Sequence, residues 1–498
     1  MPNSSAHSIS SNTGLFSFKS APYLILTALS TIALLIAYLH ISLWQHDSAY
    51  YDYDSLYIKI KYEGRWLLPW LVYPFKALNG QAVLMIDLAA LFFFFYSVGK
   101  RVSSEALYAL VFAALCIQIP AHAYQLMWPT NTVPSILILA LSVMFVNRLN
   151  MFWFYLIFGV LLFATASNYF YLLPLLHLPL LDKTSAAENL KIACLKIIPA
   201  WALGFIIGYM ASLLAVYVYT YSISGAGQWG IEIKSWRRPN HLESVADLLT
   251  NAEQAFVYFK THLHSVFLKP WAFAVAVIAL LTRLALGKNH NFIAVFLICL
   301  AMMLSHYVIT LPVGIRIDLR TVVNVWLAVF ALLFLVNLPI EKSWRVTLLM
   351  CCMLALNYSY LRENIYNLKD YSEISNFYYE DFEQAVSQSD LEVYDGIAFL
   401  STHRDVYESN LRVLESQDFD NGKIVWLNTD TRLAPNAYKH GFTNILLCGS
   451  TNRRLDACKE IKQKVSSLPP LEAGRKRLHK VLGSYKGYLI IDLDPSVL

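Results

Sequence analysis

From Pro22 to Trp44 the chain carries no charged side chain. At a rise of ~1.5 Å per residue, such a helix crosses a hydrocarbon core of about 30 Å. Similar apolar runs recur near residues 81–99, 103–120, 132–147, 151–166, 169–182, 197–220, 270–287, 291–312, 320–338 and 344–358. The fifth and sixth spans are short and read equally as one broken hairpin around Ser167 and Asn168. The expectation is a polytopic α-helical membrane protein of about eleven spans. Composition agrees: 57% of the 498 residues are hydrophobic and only 15% are charged, too few to cover a soluble domain of this size. The first run exceeds the ~7–15 residues of a signal-peptide core, and no small-x-small cleavage site follows it. Residues 1–20 are polar and Ser-rich and read as a disordered cytoplasmic tail.

The basic residues of the short loops set the expected orientation. Lys19, Lys100 and Arg101, Arg148, Lys183 with Lys191 and Lys196, Arg283 with Lys288, and Lys342 with Arg345 fall on one side. That side is cytoplasmic under the positive-inside rule. The other side receives loops 45–80 and 221–269, the short loop 313–319 and a polar C-terminal part. Residues 21–358 then form the transmembrane domain, and 359–498 a small α/β domain in the periplasm. In that domain a Tyr-rich helical stretch, Tyr358 to Ser389, leads to apolar strands at Gly396–Ser401, Ile424–Asn428, Asn444–Gly449 and Gly487–Asp492. Helical spacing covers Arg453–Val465, and the alternation suggests a mixed sheet. The net charge of +5 is spread over loops, which argues against a nucleic-acid partner.

Cys116, Cys194, Cys299, Cys351 and Cys352 lie in or beside apolar runs and read as small core residues. Cys448 ends a strand and Cys458 lies in the first turns of the next helix. A strand-to-helix return can bring their Cα atoms within ~7 Å, so an oxidising periplasm is expected to join them.

The loop after the first span carries the densest chemistry. Asp47, Asp52 and Asp54 stand among tyrosines, and Lys59, Lys61 and Arg65 follow. A carboxylate held against a membrane face is a suitable general base for a sugar hydroxyl, and the cations suit a phosphate. Asp54, nearer the cations, is preferred as the base, with Asp52 second and Asp47 in reserve. The loop also reads as a solvated segment whose charges keep it out of lipid. Asp87 adds weight to the chemical reading, because it lies roughly two turns inside the second span. A charge at that depth costs at least a few kcal/mol unless it is paired. Arg65 or Lys61 is its expected partner, and a purely structural pair there would still hold the acidic loop over the membrane.

Two more cationic segments fall on the same side. Arg237 and Arg238 precede apolar positions Leu242, Val245, Leu249, Ala252, Phe256 and Phe259, the spacing of a helix lying on the interface. Arg316 and Arg320 open the tenth span, where the helix N-terminus also favours an anion. Alone, each segment reads as headgroup snorkelling; their convergence with the acidic loop points to a phosphate site. His177 and His306 lie in apolar spans and read as core histidines. The sequence holds no metal-ligand spacing and no GxGxxG, Walker or HExxH pattern, so no metal or other cofactor is expected.

Taken together, the chain resembles the bacterial serotype-converting O-antigen glucosyltransferases, the Gtr type within the GT-C architecture. The residues that carry the likeness are Asp52-x-Asp54 after the first span, the dipeptide Gly64-Arg65, Asp87-Leu88 in the second span, and the polar α/β tail. Here Tyr53 separates the two acids and Trp66 follows the arginine, where the family often has adjacent acids and a proline. The resemblance implies a sugar donor on undecaprenyl phosphate, presented from the periplasmic leaflet. It also implies a lipid-linked O-antigen or another surface glycan as acceptor. Two other readings stay open: an O-antigen polymerase or ligase, and a transporter or flippase for lipid-linked sugar. The first tends to place its arginines in large middle loops. The second needs charged or broken helices lining a path through the midplane.

Overall fold

The computed structural model describes residues 21–40, 58–78, 80–103, 105–233, 239–285, 291–335, 343–387 and 394–400. Towards the C-terminus it describes 410, 412–414, 416, 433–434, 437, 440–442, 444–449, 455–465 and 480–493. The chain is a helical membrane protein.

Helix α1 (Ala21–Leu39) is followed by two short helices, α2 (Ile58–Glu63) and α3 (Leu68–Val72), which lie in the first loop. Helix α4 (Gly80–Val102) carries Lys100 and Arg101 in its last turn, where cations suit the negative end of the helix. Helices α5 (Ala106–Ile117) and α6 (Pro120–Leu126) form one run broken by a 63° bend. Pro120 lacks the N–H that would continue the ladder. Helix α7 (Pro129–Phe145) leads to α8 (Met151–Phe163), which Asn150 caps by accepting from the Trp153 amide.

Ser167–Leu181 is a 3₁₀-helix of 15 residues. At ~2.0 Å per residue it reaches about 30 Å, as far as an α-helix of 20 residues. It folds back along α8, since Phe163 meets Phe170 near one end and Phe154 meets His177 near the other. The break between the two elements falls at Ala164–Ala166, a few residues before the break expected around Ser167 and Asn168.

Helix α9 (Ala186–Ser224) runs for 39 residues. It buries Trp201, Gly204, Gly208, Ser212, Val216 and Thr220 along one stripe. A Cβ on Gly204 would lie 2.5 Å from the Tyr155 carbonyl oxygen, and one on Gly208 2.8 Å from that of Gly159. The backbones of α8 and α9 therefore touch, and only glycine fits between them.

Helix α10 (Val245–Val266) meets α11 (Pro270–Ala285) at 83°. Its buried residues are Asn251, Ala255, His262 and Val266, while Val245, Leu249 and Phe256 are exposed. Its outer face is apolar, and it lies across its neighbour. Helix α12 (Phe292–Thr310) precedes the loop of Arg316 and Arg320, and α13 (Val323–Phe334) is buried on nearly every side.

Helix α14 (Ser343–Ser387) is one uninterrupted element of 45 residues, about 68 Å long. It joins what the sequence suggested were a final span and a separate polar stretch. Helix α1 runs parallel to it: Asn357 donates to Ser30 Oγ and Ser372 to the His40 carbonyl. The far end of α14 carries Phe382 to Phe399 of the sheet, with ring centroids 5.9 Å apart.

The sheet has the order β2-β1-β4-β3, with β1 Gly396–Phe399, β2 Ile445–Leu447, β3 Lys480–Tyr485 and β4 Tyr488–Asp492. β1 is parallel to β2 and β4, whereas β3 and β4 form a hairpin. Its two turn residues, Lys486 and Gly487, both have positive φ, as a tight I′ turn requires. Helix α15 (Asp456–Val465) carries Cys458, which is joined to Cys448 by a disulfide with a Cα–Cα distance of 5.2 Å. Strand β3 had no counterpart in the sequence reading, and the expected strand Ile424–Asn428 lies outside the described residues.

By length and composition, four described helices can cross a membrane unaided: α1, α4, α9 and α12. The number rises to six if each bent pair, α5–α6 and α10–α11, is one span. Each of the eleven expected spans falls on a helix, but α7, α8 and α13 have only 17, 13 and 12 residues.

Candidate functional site

The first loop is organised around Glu63. Lys59 Nζ reaches one carboxylate oxygen of Glu63 at 2.6 Å, and Arg65 Nε the other at 2.9 Å. Gly64, with φ of +69°, ends α2 and turns the chain so that both cations meet the same acid. A Cβ at Gly64 would come within 3.0 Å of the Ser212 Cβ on α9. The glycine is thus required twice, by conformation and by close packing. Lys61 points elsewhere, to Glu232 at 2.6 Å, and this hydrogen bond holds its ammonium above the ordinary lysine value. Leu67 donates its amide to the Ala164 carbonyl at 3.0 Å, which ties the loop to the start of the 3₁₀-helix.

Asp87 is buried, with 0% of its surface exposed. Its Oδ2 accepts from the Thr132 hydroxyl at 2.8 Å. The ion pairs described for Lys61 and Arg65 are with Glu232 and Glu63, so the contact seen at Asp87 comes from α7 instead. The Tyr169 hydroxyl lies within electrostatic reach of Asp87 and, separately, of Arg65. That hydroxyl is buried and has no hydrogen-bond partner among the described residues.

The N-terminal turns of α7 are polar inside an apolar bundle. Thr130, Asn131, Thr132 and Ser135 are all buried. Trp128, just before the helix, receives the Arg320 guanidinium on its ring face at 3.9 Å, a cation–π contact. Arg320 also meets Asp318 at 3.4 Å, and Arg316 meets the other oxygen of Asp318 at 3.5 Å. Thr132 Oγ1 gives its one hydrogen to Asp87, and the Trp128 carbonyl lies 3.1 Å from the same oxygen. A continuous chain of contacts therefore links Arg320, Trp128, Thr132 and Asp87, with Tyr169 and Arg65 alongside.

The structure thus places Asp87 against Thr132 and Arg320 against Trp128 at the start of α7, and keeps Lys59 beside Arg65 through Glu63. Lys61 belongs to a separate pair, and Arg316 shares Asp318 with Arg320. Asp47, Asp52, Asp54, Arg237 and Arg238 lie outside the described residues. His177 accepts or donates to Tyr155 at 3.0 Å, and His306 lies 3.3 Å from the Thr321 hydroxyl. Trp128, Thr132 and Tyr169 escaped the sequence reading. The polar run Thr130-Asn131-Thr132 interrupting apolar sequence was the available signal for one of them, Thr132. Among the described residues, no group of three or more His, Cys, Asp or Glu side chains is placed to hold a metal ion.

No protein-family model matches the chain, and no curated protein and no solved structure is significantly similar to it.

Proposed function

We propose that this protein is a membrane hexosyltransferase of GT-C type. It moves a sugar, with glucose as the first candidate, from undecaprenyl phosphate to a hydroxyl of O-antigen or another surface glycan. The observation that supports this reading is the buried Asp87, held by Thr132 at the start of α7, where Arg320 rests on the ring of Trp128 just before the same helix. A lipid-phosphate leaving group has to be neutralised rather than protonated, and guanidinium groups do this with directed hydrogen bonds. Asp54 or Asp52, a few residues before Lys59, takes the proton of the acceptor hydroxyl. The hydroxyl oxygen bonds to the anomeric carbon as the bond to the phosphate oxygen breaks, in a single displacement with inversion.

On this reading all eleven helical elements cross the bilayer. The 15-residue 3₁₀-helix supports that count, because its greater rise makes up for its few residues. The sheet domain lies in the periplasm of a bacterial inner membrane, and the disulfide supports an oxidising compartment there.

Purified protein in lipid provides the test. Polyprenyl-phosphate glucose and a lipid-linked acceptor glycan should yield glycosylated acceptor and free polyprenyl phosphate. A nucleotide sugar in place of the lipid donor should yield nothing. Transfer from the nucleotide sugar alone, or none from any polyprenyl-phosphate hexose, would overturn the proposal.

A further inference from the structure

The C-terminal end of α9 carries an exposed aromatic stack that the candidate site does not use. The Trp229 indole lies on the Tyr217 ring, with centroids 4.6 Å apart and planes at 26°. Tyr221, one turn beyond Tyr217, is stacked on Tyr217 in turn, at 6.3 Å and 12°. Trp229 is nevertheless 63% exposed. Tyr217 supports one face of the indole, and the rest of the ring stays open.

The sequence builds this arrangement. Gly225 ends α9 in the left-handed conformation, with φ of +71°, and turns the chain back. A Cβ at Gly227 would collide with the Tyr217 ring, so only glycine lets the returning chain lie so close. The Gln228 amide donates to Thr220 Oγ1 at 2.8 Å, which fixes the residue before Trp229. An aromatic ring of a membrane belt needs only a helix to carry it to the headgroups; here a loop folds back to lay one ring on another. Three residues on, the Glu232 amide donates to the Lys61 carbonyl, and its carboxylate pairs with the Lys61 ammonium at 2.6 Å. Lys61 is also within electrostatic reach of Tyr219, at the same end of α9. The two charges cancel, so the pair attracts neither anion nor cation. Both side chains stay partly exposed, at 35% and 42%. An ammonium has three hydrogens and a carboxylate about four lone pairs, so each still bonds hydroxyls after the pairing.

We infer that the open face of Trp229, supported by Tyr217, is a stacking platform for a pyranose ring of the acceptor glycan. The C–H groups of a pyranose form an apolar face and its hydroxyls project from the rim, which suits a flat apolar surface near a neutral pair that bonds hydroxyls. Helix α2 carries both Lys61 and Lys59, so one short helix joins the platform to the candidate site. The identity of the ligand rests on the proposed function, and binding is read separately from transfer.

The test uses the full chain in lipid nanodiscs and surface polysaccharide released by mild acid from cells that lack this protein. The parental protein should bind the polysaccharide saturably. Trp229→Ala should weaken binding roughly 10-fold or more, and Trp229→Phe, which keeps a ring, only about 2-fold. Gly227→Val should behave like Trp229→Ala, because its side chain displaces Tyr217. Equal binding by the parental protein and Trp229→Ala, or none by the parental protein, would overturn the inference. So would quenching of the Trp229 fluorescence, taken as the difference between the parental and Trp229→Phe spectra, by brominated lipid that the polysaccharide does not relieve. That result would make the platform a lipid contact. Saturable binding lost in Trp229→Ala, without any sugar transfer, would count against the glycosyltransferase reading and leave the platform standing.

Discussion

Asp87 and Thr132 meet at 2.8 Å inside the bundle, and that contact separates two roles for the carboxylate. The Trp128 and Pro129 carbonyls also lie at 3.1 and 3.0 Å from Thr132 Oγ1, so its one hydrogen has another acceptor when Asp87 changes. Asp87→Asn retains an oxygen for Thr132 and removes only the charge. We expect this variant to reach the membrane at the parental level and to lose transfer by on the order of 10-fold or more. Parental transfer with a lowered unfolding midpoint would instead make Asp87 a packing residue. The depth of Asp87 was legible because an ionisable group inside an apolar run stands out by itself. Its neighbours were not. The sequence suggested Lys61 or Arg65 as its partner, whereas Lys61 is held by Glu232 and Arg65 by Glu63. A threonine on a helix or a tyrosine on a 3₁₀-helix carries no mark in sequence of the carboxylate it will face.

At the scale of elements, the apolar pattern put a helix at each expected span, but it missed the short helices α2, α3 and α6 and did not show how far each helix would run. Helix α14 continues well past the point where its composition turns polar, because Leu368, Ile374, Tyr378 and Phe382 keep one face buried. The hairpin of β3 and β4 was half seen. Its turn at Lys486-Gly487 holds a glycine but lacks the Asn-Gly or Asp-Gly signature, and β3 has few apolar positions to mark it. The disulfide belongs to this scale as well, since it ties the end of β2 to α15. Both cysteines are buried in a small cluster with Ala398, Leu446, Ile461 and Ile490. Mass spectrometry of protein alkylated without reduction should find Cys448 and Cys458 linked. Two alkylated thiols would refute the bond and weaken the periplasmic placement. Replacing both cysteines by serine should destabilise the sheet domain by about 2–4 kcal/mol, read as a lower unfolding midpoint of that domain.

For the whole molecule, the candidate site makes sense only if one face of the membrane receives Arg65, Arg320 and the loop of Asp52 and Asp54. On the proposed reading, the short basic loops face the cytoplasm with residues 1–20, and the sheet domain is on the opposite side. A phosphatase reporter fused after Leu498 should therefore be active, and a fluorescent protein that matures only in the cytoplasm should be dark at that position. The reverse pattern would separate the sheet domain from the expected face.

The most direct measurement is the mass of the surface glycan in cells that carry the parental protein or the Asp52→Asn, Asp54→Asn double variant. Asparagine keeps the size of each side chain and removes its basicity, so loss of the base should cost on the order of 10²–10⁴ in rate while the protein level stays normal. The parental protein should add one hexose per acceptor unit, and the double variant should leave the glycan at its unmodified mass. A double variant that adds hexose at the parental rate would show that this loop does not hold the base. A glycan of unchanged mass even with the parental protein would contradict sugar transfer to that acceptor.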